Sequence, residues 1–145
     1  EAEQLVQIAL DEMGQAVTGK VMIIEDETII AMDLKGIVLA MGHEVTGVAR
    51  THRAAVELAQ RERPDLILAD IQLADGSSGI DAVNELLASM GDFPVIFITA
   101  FPERLLTGDR PEPAFLISKP YSEEQVCSAV SQAMFFASTE GLTVS

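Results

Sequence analysis

The chain has 145 residues, of which 48% are hydrophobic and 22% are charged, and its net charge at pH 7 is −14. Such a chain suits one globular domain with a packed core, and no apolar run is long enough to predict a membrane span. The negative charge disfavours direct binding to nucleic acid or anionic lipid, since both carry phosphate groups. The acidic first residues predict no secretory signal, and Cys127, the single cysteine, predicts a reduced, cytoplasmic protein.

Short apolar runs alternate with longer segments of helical periodicity along the chain. This alternation predicts a parallel sheet covered by helices on both faces, because right-handed crossovers connect parallel strands through helices. In chain order, strands are predicted over Val21–Ile24, Glu44–Ala49, Asp65–Asp70, Val95–Thr99 and Ala114–Ser118, and helices over Thr28–Met41, Thr51–Arg63, Ile80–Met90 and Ser122–Phe136.

Helix ends and buried faces can also be predicted from the sequence. Gly42 and Pro64 are placed to end the first two helices. Ser122 and Gln125 match a capping box at the start of the last helix. In the first helix, the residues expected on or near one buried face are Ile29, Met32, Ile37 and Val38.

Three segments lie outside this pattern. Residues 1–19 are expected to be the last helix of a preceding module with its linker, or alternatively an N-terminal extension. Residues 101–113 contain three prolines and a glycine, which predict a short, mobile segment with one or two helical turns at most. The main domain is expected over residues 20–137, and residues 138–145 are expected to form a tail.

Acidic side chains follow two of the predicted strands at their carboxyl ends. Glu25 and Asp26 follow the first strand, and Asp70 ends the third. Ligands of open α/β sheets bind at this edge, so these three carboxylates are expected to converge there. Converging carboxylates repel, and Mg²⁺, which prefers oxygen ligands, would offset that repulsion. The backbone carbonyl of Gln72 is a further candidate ligand.

The same edge offers groups suited to phosphoryl transfer. Asp70 is a candidate nucleophile that would form an aspartyl phosphate. Thr99, at the end of the fourth strand, could donate its hydroxyl to a phosphoryl oxygen, and Lys119, after the fifth, could supply an ammonium charge. Ala100 leaves room for the group. Each residue alone has an ordinary structural explanation, and the hypothesis depends on their convergence.

The residues at these positions resemble those of the response-regulator receiver family. The matching elements are Glu25-Asp26, Asp70, Thr99-Ala100 and Lys119-Pro120. The resemblance implies a (βα)5 flavodoxin-like fold with strand order 2-1-3-4-5 and a cis peptide before Pro120. It also implies that Asp70 is the phosphoacceptor, that Glu25, Asp26, Asp70 and Gln72 bind Mg²⁺, and that Thr99 and Lys119 contact the phosphoryl group.

Two positions depart from the usual receiver pattern. Ala74 replaces a common proline, and Leu116 replaces a common aromatic residue, with Phe115 one place earlier. The stretches DIQLADGSSG and FITAFPERLLTG resemble a receiver subgroup found in general stress response regulators. In that subgroup a sigma-factor-like module precedes the receiver. The resemblance implies a histidine kinase or phosphotransfer protein as phosphodonor and, through that module, an anti-sigma factor as partner.

Two alternatives remain open. The chain could be a Mg²⁺-dependent phosphatase acting through an aspartyl phosphate. Haloacid-dehalogenase-type enzymes need a second acid two residues after the nucleophile, and this chain has Gln72 there, so an enzyme with external turnover is not expected. The chain could instead be an interaction module that works without phosphorylation, which Asp70, Thr99 and Lys119 argue against.

Overall fold

A computed structural model describes residues 18–73, 75–91, 93–102 and 114–143. Five strands and four helices lie in these ranges, and the predicted strands and first three helices are confirmed to within two residues at each end. The elements are β1 (Lys20–Ile24), α1 (Thr28–Ala40), β2 (Glu44–Ala49), α2 (His52–Arg61), β3 (Leu66–Ala69), α3 (Gly79–Met90), β4 (Val95–Thr99), β5 (Ala114–Ser118) and α4 (Glu123–Thr143).

The strands form one parallel sheet in the order β2-β1-β3-β4-β5, which confirms the predicted fold class. The central strands β1, β3 and β4 are almost entirely buried. Because their connections all return to the same end of the sheet, the residues that follow these strands share one edge.

Alternate strand residues point to opposite faces of the sheet, and each face has its own hydrophobic cluster. Met22 and Ile24 pack with residues of α2 and α3, whereas Val21 and Ile23 pack with residues of α1 and α4. Helices therefore cover both faces, as the sequence predicted.

The predicted inner face of α1 is partly wrong. Ile29 and Met32 are 83% and 68% exposed. The buried stripe consists instead of Ala31, Leu34, Ile37 and Val38. At about 100° per residue, Ile29 and Met32 lie on the far side of the helix from this stripe, so hydrophobicity alone misplaced them.

The last helix begins as predicted and ends later than predicted. The backbone N–H of Ser122 donates to Gln125 Oε1 at 2.8 Å, and the N–H of Gln125 donates to Ser122 Oγ at 3.1 Å. This reciprocal pair is the predicted capping box. The helix then continues past Phe136 to Thr143, so residues 138–143 of the predicted tail are helical.

The predictions for residues 1–17 and 103–113 lie outside the described residues. The preceding module, most of its linker and the short segment after β4 therefore remain predictions. Within the described ranges, no helix has both the length and the hydropathy required to span a membrane.

One irregularity interrupts the pairing of β1 with β2. Val21 pairs with Val45 but Met22 pairs with Gly47, which leaves Thr46 as an extra residue on β2. The φ angle of Gly47 is 157°, and a Cβ there would lie 3.0 Å from the Leu58 side chain. Glycine therefore suits both the backbone and the packing at this bulge.

A second glycine fixes the approach of α3 to the end of β3. A Cβ on Gly79 would lie 1.8 Å from the backbone carbonyl oxygen of Asp70, a distance that no side chain can occupy. The Gly79 N–H donates to the Ile71 carbonyl at 2.7 Å. The absence of a side chain at Gly79 thus sets the backbone position at Asp70.

We expect Gly79→Ala to destabilise the fold by about 3 kcal/mol or more, because the added methyl must displace backbone rather than a flexible side chain. Gly36→Ala is the matched control, since nothing lies within 4 Å of its added Cβ. The free energy of unfolding of that variant should rise by about 0.8 kcal/mol, because alanine has a higher helix propensity than glycine. Urea unfolding followed by circular dichroism measures both, and a Gly79→Ala variant as stable as wild type would contradict the packing described.

Candidate functional site

Three carboxylates meet where β1 and β3 end, as predicted. Glu25, Asp26 and Asp70 each place one carboxylate oxygen within 4.8 Å of the others. Backbone hydrogen bonds hold two of them, because Glu25 N donates to Ala49 O at 2.9 Å and Asp70 N donates to Ile24 O at 2.8 Å. Sheet pairing thus extends one residue past the strands and carries the acids with it.

Lys119 joins the acidic cluster from the end of β5. Its Nζ donates to Glu25 Oε1 at 2.7 Å and to Asp70 Oδ2 at 2.9 Å. The Lys119 N–H donates to the carbonyl of Thr99 at 2.8 Å, and the peptide before Pro120 is cis, as the resemblance implied. The residues predicted from separate strands therefore form one hydrogen-bonded group.

The segment after Lys119 is tied to α1. The hydroxyl of Tyr121 donates to Asp33 Oδ2 at 2.6 Å, while its ring packs against the cluster between the sheet and α1. Burial raises the pKa of Tyr121, and the hydrogen bond to the Asp33 carboxylate adds to the rise. The hydroxyl therefore stays protonated, and this contact holds the end of β5 beside α1.

Burial and the short distances between the charged groups shift the pKa values of Glu25 and Lys119. Glu25 is 1% exposed, and burial raises the pKa of its carboxyl to about 7 although the hydrogen bond from Lys119 lowers it. The charge of Asp70 adds to the rise. Burial alone would lower the pKa of Lys119, but its bonds to Glu25 and Asp70 outweigh burial and raise it. Lys119 therefore remains an ammonium at neutral pH.

An open depression of about 250 Å³ gives access to Asp70. Asp70 Oδ1 accepts a hydrogen bond from the Ile71 N–H at 2.7 Å, and Oδ2 accepts from Lys119. Asp26, Gln72 and Lys119 line the depression. Glu25 is buried and does not line this depression, and its Oε2 accepts a hydrogen bond from the Glu27 N–H at 3.2 Å.

This donor set fits a hard divalent cation such as Mg²⁺. The cluster supplies carboxylate oxygens from Glu25, Asp26 and Asp70, and one ammonium does not balance three such charges. Because Asp26 and Asp70 line the depression and Glu25 does not, Asp26 and Asp70 are the better placed ligands. The carbonyl of Gln72, on the wall of the depression, remains a predicted ligand.

Thr99 lies at the end of β4 as predicted, but it does not line the depression. It is 0% exposed, and its hydroxyl oxygen accepts a hydrogen bond from the Phe101 N–H at 3.1 Å. Its predicted contact with a phosphoryl oxygen therefore stays a prediction. Ala100, the small residue next to it, does line the depression.

Gly76, Ser77 and Ser78 form a wall of the depression and were not predicted as site residues. Their glycine and serine content is typical of any loop. The signal that could have identified them is position, because this loop directly follows Asp70 and leads into α3.

Fold and site together define a receiver. The chain belongs to the response regulator receiver domain family, whose model matches residues 21–131. Among its relatives, the phyllosphere-induced regulator PhyR of Methylorubrum extorquens is 58% identical over 133 residues, which cover 91% of this chain and 49% of PhyR.

Solved structures give the same assignment. The chain is 56% identical to the receiver domain of Erythrobacter litoralis PhyR, with a TM-score of 0.77 and coverage of 82% of this chain and 92% of that one. Bartonella quintana PhyR, an anti-anti-sigma factor solved in complex with the anti-sigma factor NepR, is 54% identical with a TM-score of 0.64; the match covers 92% of this chain and 55% of that one. The chain thus spans about half the length of Methylorubrum extorquens PhyR and of Bartonella quintana PhyR.

We expect Lys119→Met to destabilise the metal-free protein by about 3 kcal/mol at pH 8, because Glu25 and Asp70 lose their shared counter-charge while they stay buried. The loss should be smaller at pH 6. The folded-state pKa of Glu25 is already raised to about 7, and it would rise further without the ammonium, so at pH 6 a proton can replace the lost charge.

Urea unfolding at the two pH values measures this difference. Lys20→Met is the matched control, because Lys20 forms an exposed ion pair with Glu62 at 3.0 Å, and such pairs contribute little. Equal losses for Lys119→Met at pH 6 and pH 8 would contradict the electrostatic account.

Proposed function

We propose that the domain is a phosphoacceptor switch in which Asp70 is phosphorylated, with Mg²⁺, by a histidine kinase or phosphotransfer protein. The observation that carries this proposal is the position of Asp70. Its carboxylate borders an open depression, 2.9 Å from an ammonium and beside a second acid.

In the proposed reaction, a carboxylate oxygen of Asp70 attacks the phosphorus of the donor. A bond forms between that oxygen and phosphorus, and the bond from phosphorus to the donor breaks, with its electron pair leaving on the donor. The product is an aspartyl phosphate. Mg²⁺, held by Asp26, Asp70 and the Gln72 carbonyl, would supply positive charge for the phosphoryl oxygens.

Lys119 has a further part in this proposal. Its ammonium now donates to Asp70 and Glu25, and a phosphoryl oxygen on Asp70 would be a new acceptor within its reach. Moving the ammonium toward that oxygen weakens its contact with Glu25. The phosphoryl group would thus alter contacts that link β5 with β1, and differential contacts of this kind can shift a two-state equilibrium.

We propose that the shifted equilibrium changes partner binding. A groove of about 510 Å³ lies between β5 and α4, with Phe115, Leu116 and Ser128 among its lining residues. It begins on the strand that carries Lys119 at its end. By analogy with the NepR complex of Bartonella quintana PhyR, the partner would be an anti-sigma factor bound through a preceding sigma-factor-like module.

Exposed apolar residues beside the site suit docking of the phosphodonor. Ile29 and Met32 lie on α1, the helix that begins just after Asp26. Met32 also lines a shallow depression that borders Glu25. Because residues three apart on a helix are neighbours, these two side chains present one exposed apolar surface that a partner could cover. A donor protein that contacts them would lie close to Asp70.

Cytoplasmic location and the absence of external turnover belong to the same proposal. Gln72 provides no acid to protonate a leaving group, so steady hydrolysis of small phosphate esters is not expected. Such hydrolysis, if measured, would favour the phosphatase alternative.

Acetyl phosphate with Mg²⁺ should add one phosphoryl group to the wild-type protein, detected by mass spectrometry of the intact chain. Asp70→Asn should abolish the adduct, because an amide is not nucleophilic enough to replace the carboxylate. Asp81→Asn, in the first turn of α3, is the control and should label normally. Labelling that persists in Asp70→Asn or without Mg²⁺ would contradict the proposal.

Replacing Ile29 and Met32 together by Ser should slow phosphorylation by a protein donor roughly 10-fold, since loss of a buried apolar contact weakens docking. The rate with acetyl phosphate should stay unchanged, because the small donor needs no docking surface. Leu39→Ser is the control for an exposed apolar residue on the same helix. An equal loss with both donors would show that the residues act on the site itself.

A further inference from the structure

The loop of residues 75–78 joins the segment after Asp70 to α3 and forms one wall of the depression. It is a tight turn, in which Leu73 N donates to Ser77 O at 3.1 Å and Gly76 N donates to Leu73 O at 3.0 Å. An isolated antiparallel bridge pairs Gln72 with Ser78 at its base. The position of the Gln72 backbone therefore depends on the shape of this loop.

Ser77 holds this loop in place through hydrogen bonds of its backbone N–H and its hydroxyl. Its N–H donates to Asp75 Oδ1 at 3.0 Å, and its hydroxyl donates to the same oxygen. The hydroxyl oxygen also accepts a hydrogen bond from the backbone N–H of His52 at 3.2 Å. One side chain thus closes the loop on itself and ties it to the first turn of α2.

The start of α2, where His52 donates to Ser77, is held in place by its own hydrogen bonds. The hydroxyl of Thr51 accepts from the Ala54 N–H at 3.1 Å and caps the helix. The ring of His52 forms a 2.9 Å contact between Nε2 and Glu85 Oε1 on α3. Ser77 is therefore bound to a point that two helices hold in place.

The loop transmits its position directly to Asp70. Beyond the Gln72–Ser78 bridge, Gly79 donates to Ile71 O at 2.7 Å and packs against the Asp70 carbonyl. Ile71 in turn donates its N–H to Asp70 Oδ1 at 2.7 Å. A displacement of Ser77 would therefore shift both the Asp70 carboxylate and the Gln72 carbonyl, because a short series of hydrogen bonds connects the loop with them.

We propose that Ser77 is a positioning residue for the metal and phosphoacceptor site. It holds the loop against α2 so that the Gln72 carbonyl and the Asp70 carboxylate keep a geometry that binds Mg²⁺. This inference deepens the proposed function and rests on it for the use made of the metal. The Ser77 hydroxyl bonds to Asp75 and His52, so we expect Ser77 to act on the metal ligands through the loop.

The test compares Ser77→Ala, which loses both side-chain bonds, with Ser77→Thr, which keeps a hydroxyl. Ser89→Ala is the matched control, because Ser89 lies in the last turn of α3 and its hydroxyl donates to the Leu86 carbonyl of the same helix at 3.4 Å. Mg²⁺ affinity is measured by calorimetry without phosphodonor. Amide hydrogen exchange at Leu73 and Gly79 is measured without metal.

Ser77→Ala should weaken Mg²⁺ binding about 10-fold, the usual effect of losing a group that orients a metal ligand. It should also speed exchange at the Leu73 and Gly79 amides, since the loop that supplies the Leu73 acceptor and leads into Gly79 loosens. Ser77→Thr should restore both properties, and Ser89→Ala should leave both unchanged.

Unchanged Mg²⁺ affinity in Ser77→Ala would overturn the inference, even if exchange became faster, because the loop would then be structural only. Failure of the wild-type protein to bind Mg²⁺ would overturn both this inference and the proposed function. If wild type binds Mg²⁺ but forms no phosphoryl adduct, the proposed function fails, and the measured effect of Ser77→Ala on affinity still decides this inference.

Discussion

The structure depends on how one ammonium is shared between two buried carboxylates. Glu25 and Asp70 end neighbouring strands, and sheet pairing brings them together regardless of their charge. Lys119 stabilises this arrangement by contacting both at 2.7 and 2.9 Å. One positive charge does not neutralise the acids that converge there, so the cluster would suit a further cation, as proposed above. In the proposed function, a new anionic group on Asp70 would compete for the same ammonium.

Backbone contacts fix the position of Asp70 within this charged cluster. The carbonyl of Asp70 packs against Gly79, and its carboxylate accepts from the Ile71 N–H. The loop between them is fastened by Ser77 to the start of α2. Elements that supply no chemistry thus decide where the reactive oxygens lie, and the packed sheet limits how far they can move.

The strands, the helices and the acids at the sheet edge could be predicted from local signals, whereas the strand order and the cis peptide before Pro120 were implied by the resemblance to the receiver family. Strand runs, capping residues and acids at strand ends can be recognised without tertiary information. The buried face of α1 could not be predicted, since Ile29 and Met32 are as apolar as the residues that pack. The inward position of the Thr99 hydroxyl depends on a bond from Phe101, and the Ser77 anchor depends on His52, 25 residues away in sequence. Such contacts are set by tertiary packing, which no local pattern encodes.

The bulge at Thr46 affects whether a strand from another chain can pair with the edge of the sheet. β2 and β5 are the outer strands of the sheet over the described residues. An irregular outer strand is a poor template for a strand from another chain, because its free N–H and C=O groups are unevenly spaced. β5 follows β4 without a break in register. The bulge therefore disfavours strand addition at the edge formed by β2, whereas β5 has no such irregularity in its pairing with β4.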